Sequence, residues 1–512
     1  MMKKLNRLLY SVIILLLCIS SSQAETSVRI LYLNDFHGFA EPYKPFGSDE
    51  MLGGIAYLSG RANELRKEKP TLLLAAGDMI QGNNWANFFQ GASVIEIMNA
   101  MKFDATVIGN HEFDFGQDVL KQRISEAGFP VLCANVEGFS QLKPYIIKEI
   151  AGIRFGVIGL ATADTPVTTH PKNVAGLKFI SPEDALRHYL REVKAQSDIV
   201  ILLSHIGHQA DRMLAEDVEG IDIIVGGHSH TKVLSPVIVK NTIILQAWEH
   251  AKTLGVLDLT VEEGKIVKYD GRLEEIKPAS GTVDKAIMTV VTKYREKVDA
   301  VLNETIGETE SDLDGEHVRK RETNLGNLIA DIMRAASGSD AAIINGGGIR
   351  TGMKKGAISV KNVYNVLPFN NYIVAIRLTG KEIKETLEYG VSAIEKNEGR
   401  FPQVSGLTFT YNASASVGSR VRDVFIAGSP IDPGREYTVA TNDFLAAGGD
   451  GYTAFGDAVK SSKDFSVVGG VMKGEKLFYN DSSRWLRDVV IEYIKEREKI
   501  TPVPEGRIVG IL

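Results

Sequence analysis

Five short stretches of this 512-residue chain place acid, amide and imidazole side chains directly after apolar runs. Ile30 to Leu33 leads into Asn34-Asp35-Phe36-His37-Gly38, Leu72 to Ala75 into Gly77-Asp78, and Val107-Ile108 into Gly109-Asn110-His111-Glu112. Ile199 to Leu203 leads into Ser204-His205, and Ile223 to Val225 into Gly226-Gly227-His228-Ser229-His230. If the runs are neighbouring strands of a sheet, their loops emerge along one edge, where open α/β folds place their sites. In Asp35-x-His37 and His228-x-His230 the alternating spacing sets both side chains on one side of an extended segment. Any one of these residues reads equally well as a turn or cap; five such loops together point to a metal cluster. Imidazole with carboxylate suits zinc or manganese better than calcium or magnesium, which prefer oxygen alone. His208 and His250 lie near the cluster in sequence and read as supporting groups, while His170, His188 and His317 receive no role.

A second set of strings lies downstream: Arg319-Lys320-Arg321, Asn345-Gly346-Gly347-Gly348-Ile349-Arg350, Leu367-Pro368-Phe369-Asn370-Asn371, and Phe444 to Gly451 with Asp450. Each is weak alone. A triple glycine after a strand usually marks a turn needing positive φ, and basic residues near a helix start usually face solvent.

The elements that must hold these residues exceed one hydrophobic core, so at least two domains are expected. From Val28 to about Leu273, apolar runs alternate with helical patterns and Gly-rich turns, as for strands buried between layers. Residues 283–303 carry apolar residues at helical spacing (Ile287, Val290, Val291, Tyr294, Val298, Val301) and predict one long amphipathic helix. A second mixed α/β region follows, with a helix around Asn324 to Arg334 and a strand from Ala341 to Ile344. The expected division is a leader over 1–24, a catalytic unit over 25–277, a connector over 278–304 and a second unit over 305–512.

The formal net charge of −6 argues against a nucleic-acid polymer or an anionic membrane surface as partner. A small anionic substrate is compatible with it, because a metal cluster dominates the field of its own cleft. Lys3, Lys4 and Arg7, the apolar run from Leu8 to Ile19 and the small-residue site Ser22-Gln23-Ala24 predict a cleaved export signal, with Glu25 as the new first residue. A lipoprotein signal would need a small residue before Cys18, where Leu17 stands. Cleavage leaves Cys133 as the one thiol, so no intramolecular disulfide is expected, and Cys133 reads as a small buried hydrophobe. No later run reaches the roughly 18 apolar residues that span a membrane.

The ordered loops resemble the calcineurin-like metallophosphoesterases. The strings Leu33-Asn34-Asp35-Phe36-His37-Gly38 and Gly109 to Gly116 resemble one branch of them, the 5′-nucleotidase and UDP-sugar hydrolase family, over nearly the whole chain from Val28 to Ile508. The resemblance implies an α/β protein: a metallophosphoesterase β-sandwich flanked by helices, a long linker helix and a C-terminal mixed α/β nucleotide-binding domain that rotates between open and closed arrangements. It implies that Asp35, His37, Asp78 and His230 hold one divalent ion, that Asp78, Asn110, His205 and His228 hold a second, and that Asp78 bridges them. His230 stands where the best-known members carry Gln or Asn. His111 would contact the phosphoryl and leaving-group oxygens, with Asp114 orienting it. Arg319 (or Arg321), Asn345 and Arg350 would contact phosphate, Phe369 and Phe444 would stack the base, and Asn371 and Asp450 would read base or ribose. The implied activity is release of phosphate from 5′-nucleotides outside the cytoplasm, extending to UDP-sugars. A 2′,3′-cyclic phosphodiesterase with 3′-nucleotidase activity, and a non-catalytic nucleotide-binding surface protein, are the alternatives. The implied partner is a nucleotide, with no lasting membrane anchor and no stated oligomer.

Overall fold

The computed structural model describes residues 25–45, 48–169, 171–468, 471–482 and 484–511; the expected leader over 1–24, with Cys18, and His170 lie outside the described residues. The N-terminal half contains two six-stranded sheets. One runs in the order Lys265–Glu275, Thr253–Glu262, Thr26–Leu33, Thr71–Ala76, Ala105–Val107, Val131–Leu132. The other runs Val237–Val239, Thr242–Gln246, Ile223–Gly226, Ile199–His205, Ile153–Ala161, Tyr145–Ile150. Side chains alternate across a strand, so Ile30, Leu72, Leu74 and Val107 meet Phe155, Ile201, Leu203 and Val225 in a shared inner layer. Their neighbours Leu31, Leu33, Leu73 and Ala75 point outward onto the helices Ile55–Arg66 and Ala92–Met101. On the far side Val200, Leu202 and Ile224 pack against the helix Pro182–Gln196. The architecture is a β-sandwich flanked by helices.

The five loops leave one edge of this sandwich. Three follow strands of the first sheet and two follow strands of the second, so the edge belongs to a pair of facing sheets. A strand buried on both faces has the same apolar texture whether a helix or a second sheet covers it, so the runs alone leave the two arrangements alike.

The apolar stripe expected over 283–303 forms the helix Lys285–Leu302, started by Asp284, whose carboxylate accepts from the backbone N–H groups of Ala286 and Ile287. Ile287, Val291 and Tyr294 sink into the core of the first half, and the Tyr294 hydroxyl donates to Glu96 at 2.7 Å. The helix is therefore packed along the N-terminal half, because a stripe that wide needs an apolar surface to cover it. Near its end, Asp299 pairs with Lys361 of the second half at 2.7 Å.

The C-terminal half is built on a five-stranded sheet ordered Pro402–Ser405, Ala341–Asn345, Glu436–Asn442, Ile373–Thr379, Leu477–Asn480. Helices Asn324–Ser337 and Leu486–Arg497 cover one face, while Gly380–Gly390, Thr453–Lys460 and a four-stranded sheet cover the other. The helix Asn324–Ser337 starts at Thr323, whose hydroxyl accepts from Gly326 N–H, and stops at the left-handed Gly338. Cys133 is buried, as expected, and its thiol is pushed up to about 12 by burial. Among the described residues no helix is long and apolar enough to cross a membrane.

Candidate active site

Beside a third group, His230, Glu249 and His250, two groups of potential ligands lie side by side at the sandwich edge: Asp35, His37 and His230, and Asp78, His205 and His228. Asp78 joins them, its Oδ2 lying 3.1 Å from His205 Nε2 and 3.8 Å from His37 Nε2. His230 Nε2 is 3.2 Å from Asp35 Oδ1. The histidines are oriented from behind: His37 Nδ1 donates to the Gln81 carbonyl at 2.8 Å and His205 Nδ1 to the Ala76 carbonyl at 2.6 Å. Both Nε2 lone pairs then face the cluster. Asp35 Oδ1, Asn110 Oδ1 and His205 Nε2 are buried there without a hydrogen-bond partner. One such atom costs about 1–3 kcal/mol, so converging orphan acceptors of carboxylate, amide and imidazole type fit divalent cations. Burial alone would raise the Asp78 carboxyl, yet His205, His111 and His37 together hold it well below the usual range.

The backbone corrects the expected geometry of the spaced pairs. Asp35, His37, Asp78, His228 and His230 have φ of 49°, 51°, 54°, 75° and 50°, so these segments are left-handed turns and not extended chain. His228 and His230 accordingly end in different ligand groups. Positive φ is a few per cent behaviour for a residue with a Cβ; here it marks most of the candidate ligands, as stored strain does at sites that must be pre-organised. The adjacent glycines answer to crowding. A Cβ on Gly109 would strike the Asp78 carboxylate, and one on Gly227 would strike the Ala76 carbonyl.

Two acids given no role from sequence organise the cluster. The buried Glu112 carboxylate accepts from Asp78 N–H at 3.0 Å, Met79 N–H at 2.7 Å and Gly109 N–H, tying two ligand loops together. Its place inside Gly109-Asn110-His111-Glu112 was the available signal. Glu249 accepts from His230 Nδ1; its signal was a sixth apolar run, Thr242–Gln246, leading into Trp248-Glu249-His250. His250 stacks on Phe39 with ring centroids 3.8 Å apart and hydrogen-bonds through Nδ1 with the Tyr43 hydroxyl at 3.0 Å. His208 N–H donates to the Ser229 hydroxyl, at the foot of the His228 turn.

His111 lies against the cluster, its backbone N–H donating to Asp78 Oδ1 at 2.9 Å and its ring 5.3 Å from that of His37. Its Nδ1 donates to Asp114 Oδ2 at 2.6 Å, while Asp114 Oδ1 accepts the Thr169 hydroxyl at 2.6 Å. The imidazole is thereby held in one orientation with Nε2 left over.

From the second half, Arg350 crosses to the metal edge, where Nη2 donates to His37 Nε2 at 3.1 Å. Burial and the neighbouring charge of Arg319 push its guanidinium down to about 10. Asn345 Nδ2 donates to Asp450 Oδ2 at 2.6 Å, and Asn345 Oδ1 is buried and unpartnered. The triple glycine after Asn345 does not use positive φ, contrary to expectation. It permits close approach instead, since a Cβ on Gly346 would strike the Val318 carbonyl, next to Arg319. Arg321 is turned to Asp314 at 2.9 Å, whereas the charge of Arg319 acts on both Arg350 and Asp450. The Phe369 ring stacks near His111 at 5.9 Å between centroids and lines a hollow with Asn371, Ile344 and Leu486. Phe444 is not part of that hollow; it lies over Gly449, where a Cβ would collide with its ring.

Two family models divide the chain: "Calcineurin-like phosphoesterase" matches residues 28–232 and "5'-nucleotidase, C-terminal domain" matches residues 303–457. The trifunctional nucleotide phosphoesterase protein YfkN of Bacillus subtilis is 36% identical over 94% of this chain, which spans 35% of that protein's length. The 5′-nucleotidase of Diplobatis ommata is 30% identical over 98% of this chain and 93% of its own. The crystal structure of a 5′-nucleotidase precursor from Thermus thermophilus superposes with a TM-score of 0.85 at 34% identity, covering 95% of this chain and 99% of the other. Likeness of that extent, with the site on the edge shared by both sheets, means that this chain belongs to the 5′-nucleotidase family of metallophosphoesterases, hydrolases that act on nucleotide phosphates.

Proposed function

We propose that this chain is an exported two-metal hydrolase that releases phosphate from 5′-nucleotides, with activity extending to UDP-sugars. The observation that carries the reading is the reach of Arg350 from the second half to His37 in the metal cluster, at 3.1 Å. A guanidinium there is placed to grip a phosphate whose nucleoside rests on the second half. We take residues 25–277 as the catalytic unit, 278–304 as the connector and 305–512 as the nucleotide-binding unit. Asp35, His37, Asp78 and His230 would hold one ion, and Asp78, Asn110, His205 and His228 the other, with zinc or manganese suited to these donors. Two divalent ions supply Lewis-acid activation of the phosphoryl group and of water for in-line attack.

The chain's own residues do the rest. Arg350 and Arg319 bind phosphate oxygens, supported by Asn345, whose amide nitrogen has a second N–H beyond the one given to Asp450. Asp114 holds His111 in one orientation through Nδ1, so that Nε2 is directed at the phosphoryl and leaving-group oxygens as the phosphorus–oxygen bond breaks. Phe369 and Phe444 stack the base, and Asn371 and Asp450 read polar atoms of base or ribose. The placement of Arg319 near Arg350 and Asp450, with Arg321 engaged elsewhere, supports Arg319 as the phosphate contact. The second reading is a 2′,3′-cyclic phosphodiesterase with 3′-nucleotidase activity, and the name of the Bacillus relative, a trifunctional nucleotide phosphoesterase, is compatible with more than one nucleotide ester as substrate. Phosphate release from AMP, UDP-glucose and 2′,3′-cyclic AMP is measured in parallel on metal-stripped and Mn²⁺- or Zn²⁺-restored enzyme. AMP should be the best substrate and stripping should abolish turnover; full activity without metal, or preference for the cyclic ester, would overturn the reading.

A further inference from the structure

The loop from Ala247 to Lys252 supports the first ligand group from outside it. Asn34 holds the loop twice, its Oδ1 accepting from Ala247 N–H at 2.7 Å and its Nδ2 donating to the Trp248 carbonyl at 2.6 Å. His250 N–H donates to the Asp35 carbonyl at 2.8 Å, and Trp248 N–H to the Thr231 carbonyl at 3.3 Å. The loop is thus stitched to both segments that supply this group, Asp35 to His37 and His230. Trp248, His250 and Ala251 all have positive φ, between 53° and 63°, a conformation that persists only where surrounding bonds over-determine it.

These bonds aim Glu249. One carboxylate oxygen accepts from His230 Nδ1. The other pairs with Lys252 Nζ at 2.6 Å, and that ammonium is nearly buried, 3.5 Å from the centre of the Trp248 ring. The chain Trp248, Lys252, Glu249, His230 therefore ends on the Nε2 that faces Asp35. A carboxylate behind a ligating imidazole fixes which nitrogen carries the proton and raises the basicity of the other.

We infer that Glu249, held by Lys252, is the positioning residue for His230, fixing its Nε2 as a donor to the first metal ion and tuning the affinity of that site alone. This rests on the two-ion reading above.

The test is a Mn²⁺ titration of the metal-free full-length protein against a competing fluorescent chelator, with melting of the metal-free protein recorded alongside. Glu249→Ala should weaken one of two Mn²⁺ affinities by about 10- to 100-fold and leave the other unchanged, while the metal-free melting temperature falls because the nearly buried Lys252 loses its partner. Glu249→Gln, whose amide oxygen still accepts from Nδ1, should recover part of the loss. In a His230→Ala background, Glu249→Ala should add no further weakening, because the nitrogen it serves is gone. Two unchanged affinities in Glu249→Ala would overturn the proposal, as would equal weakening of both sites. A parent protein that binds fewer than two ions would overturn the two-ion reading itself, and this proposal with it.

Discussion

The metal edge and the clamp proposed for the nucleotide, formed by Arg319, Phe369 and Phe444 of the second half, hold their side chains in different ways. At the edge, strained backbone and a bond from behind set the ligands: Gln81 behind His37, Ala76 behind His205, Glu249 behind His230, Glu112 beneath the Asp78 turn. In the clamp, Arg319, Phe369 and Phe444 are half-buried, and Phe444 is placed by contact with Gly449 and the core beside it. The difference follows the task each is proposed to perform. Ions demand donors fixed to within fractions of an ångström, whereas a base is gripped by faces that tolerate small shifts. Arg350 belongs to the clamp by sequence and is half-buried like its other residues, but it reaches the edge, where it donates to His37.

The largest effect should come from breaking the element common to both ligand groups. Asp78→Asn removes the charge between them, so both ions should be lost and turnover should fall by roughly 10³-fold or more, the several kcal/mol that metal activation supplies. Elemental analysis beside phosphate release decides this; two retained ions would mean that the edge does not depend on a shared carboxylate. His111→Ala should sharpen the line between ligand and catalyst, lowering kcat by about 10²- to 10⁴-fold with metal content intact. Loss of metal in that variant would make His111 part of the cluster instead.

The smallest effect tests the clamp. Phe444→Ala removes one stacking face, worth about 1–3 kcal/mol, so KM for AMP should rise by roughly 5- to 150-fold. A small aryl phosphate has no base to stack, and kcat/KM for p-nitrophenyl phosphate should change much less. Because remote binding energy also aligns the reacting phosphate, some loss of kcat on AMP fits the same picture. An equal fall on both substrates would show Phe444 acting as a core residue, and the contrast between a rigid edge and a gripping clamp would lose its second half.

The candidate ligand loops were legible because metal chemistry restricts residue type and because each loop follows a recognisable apolar run, whereas the roles of single ligands and of the His111–Asp114 pair came only from the family resemblance. Glu112 was in view without a role, and Glu249 was missed. A supporting carboxylate has no type or spacing of its own: any acid can serve, and what selects it is the imidazole or amide it meets in space. Arg319 and Arg321 were equivalent in the string Arg319-Lys320-Arg321, and the Asp314 carboxylate that occupies Arg321 separates them.

By itself the sequence determined the chemistry on offer, the α/β texture and the long helix, since these are set by side-chain type and by periodicity along a few neighbouring residues. The tertiary structure decided how that chemistry is grouped. Asp35 and His228, whose N–H donates to the Asp35 carboxylate, are 193 positions apart and leave different sheets, so their meeting depends on sheet pairing that no local pattern encodes. The left-handed turns that send His228 and His230 to different ligand groups were decided in the same way, because a residue with a Cβ holds positive φ only when packing and hydrogen bonds around it outweigh the strain.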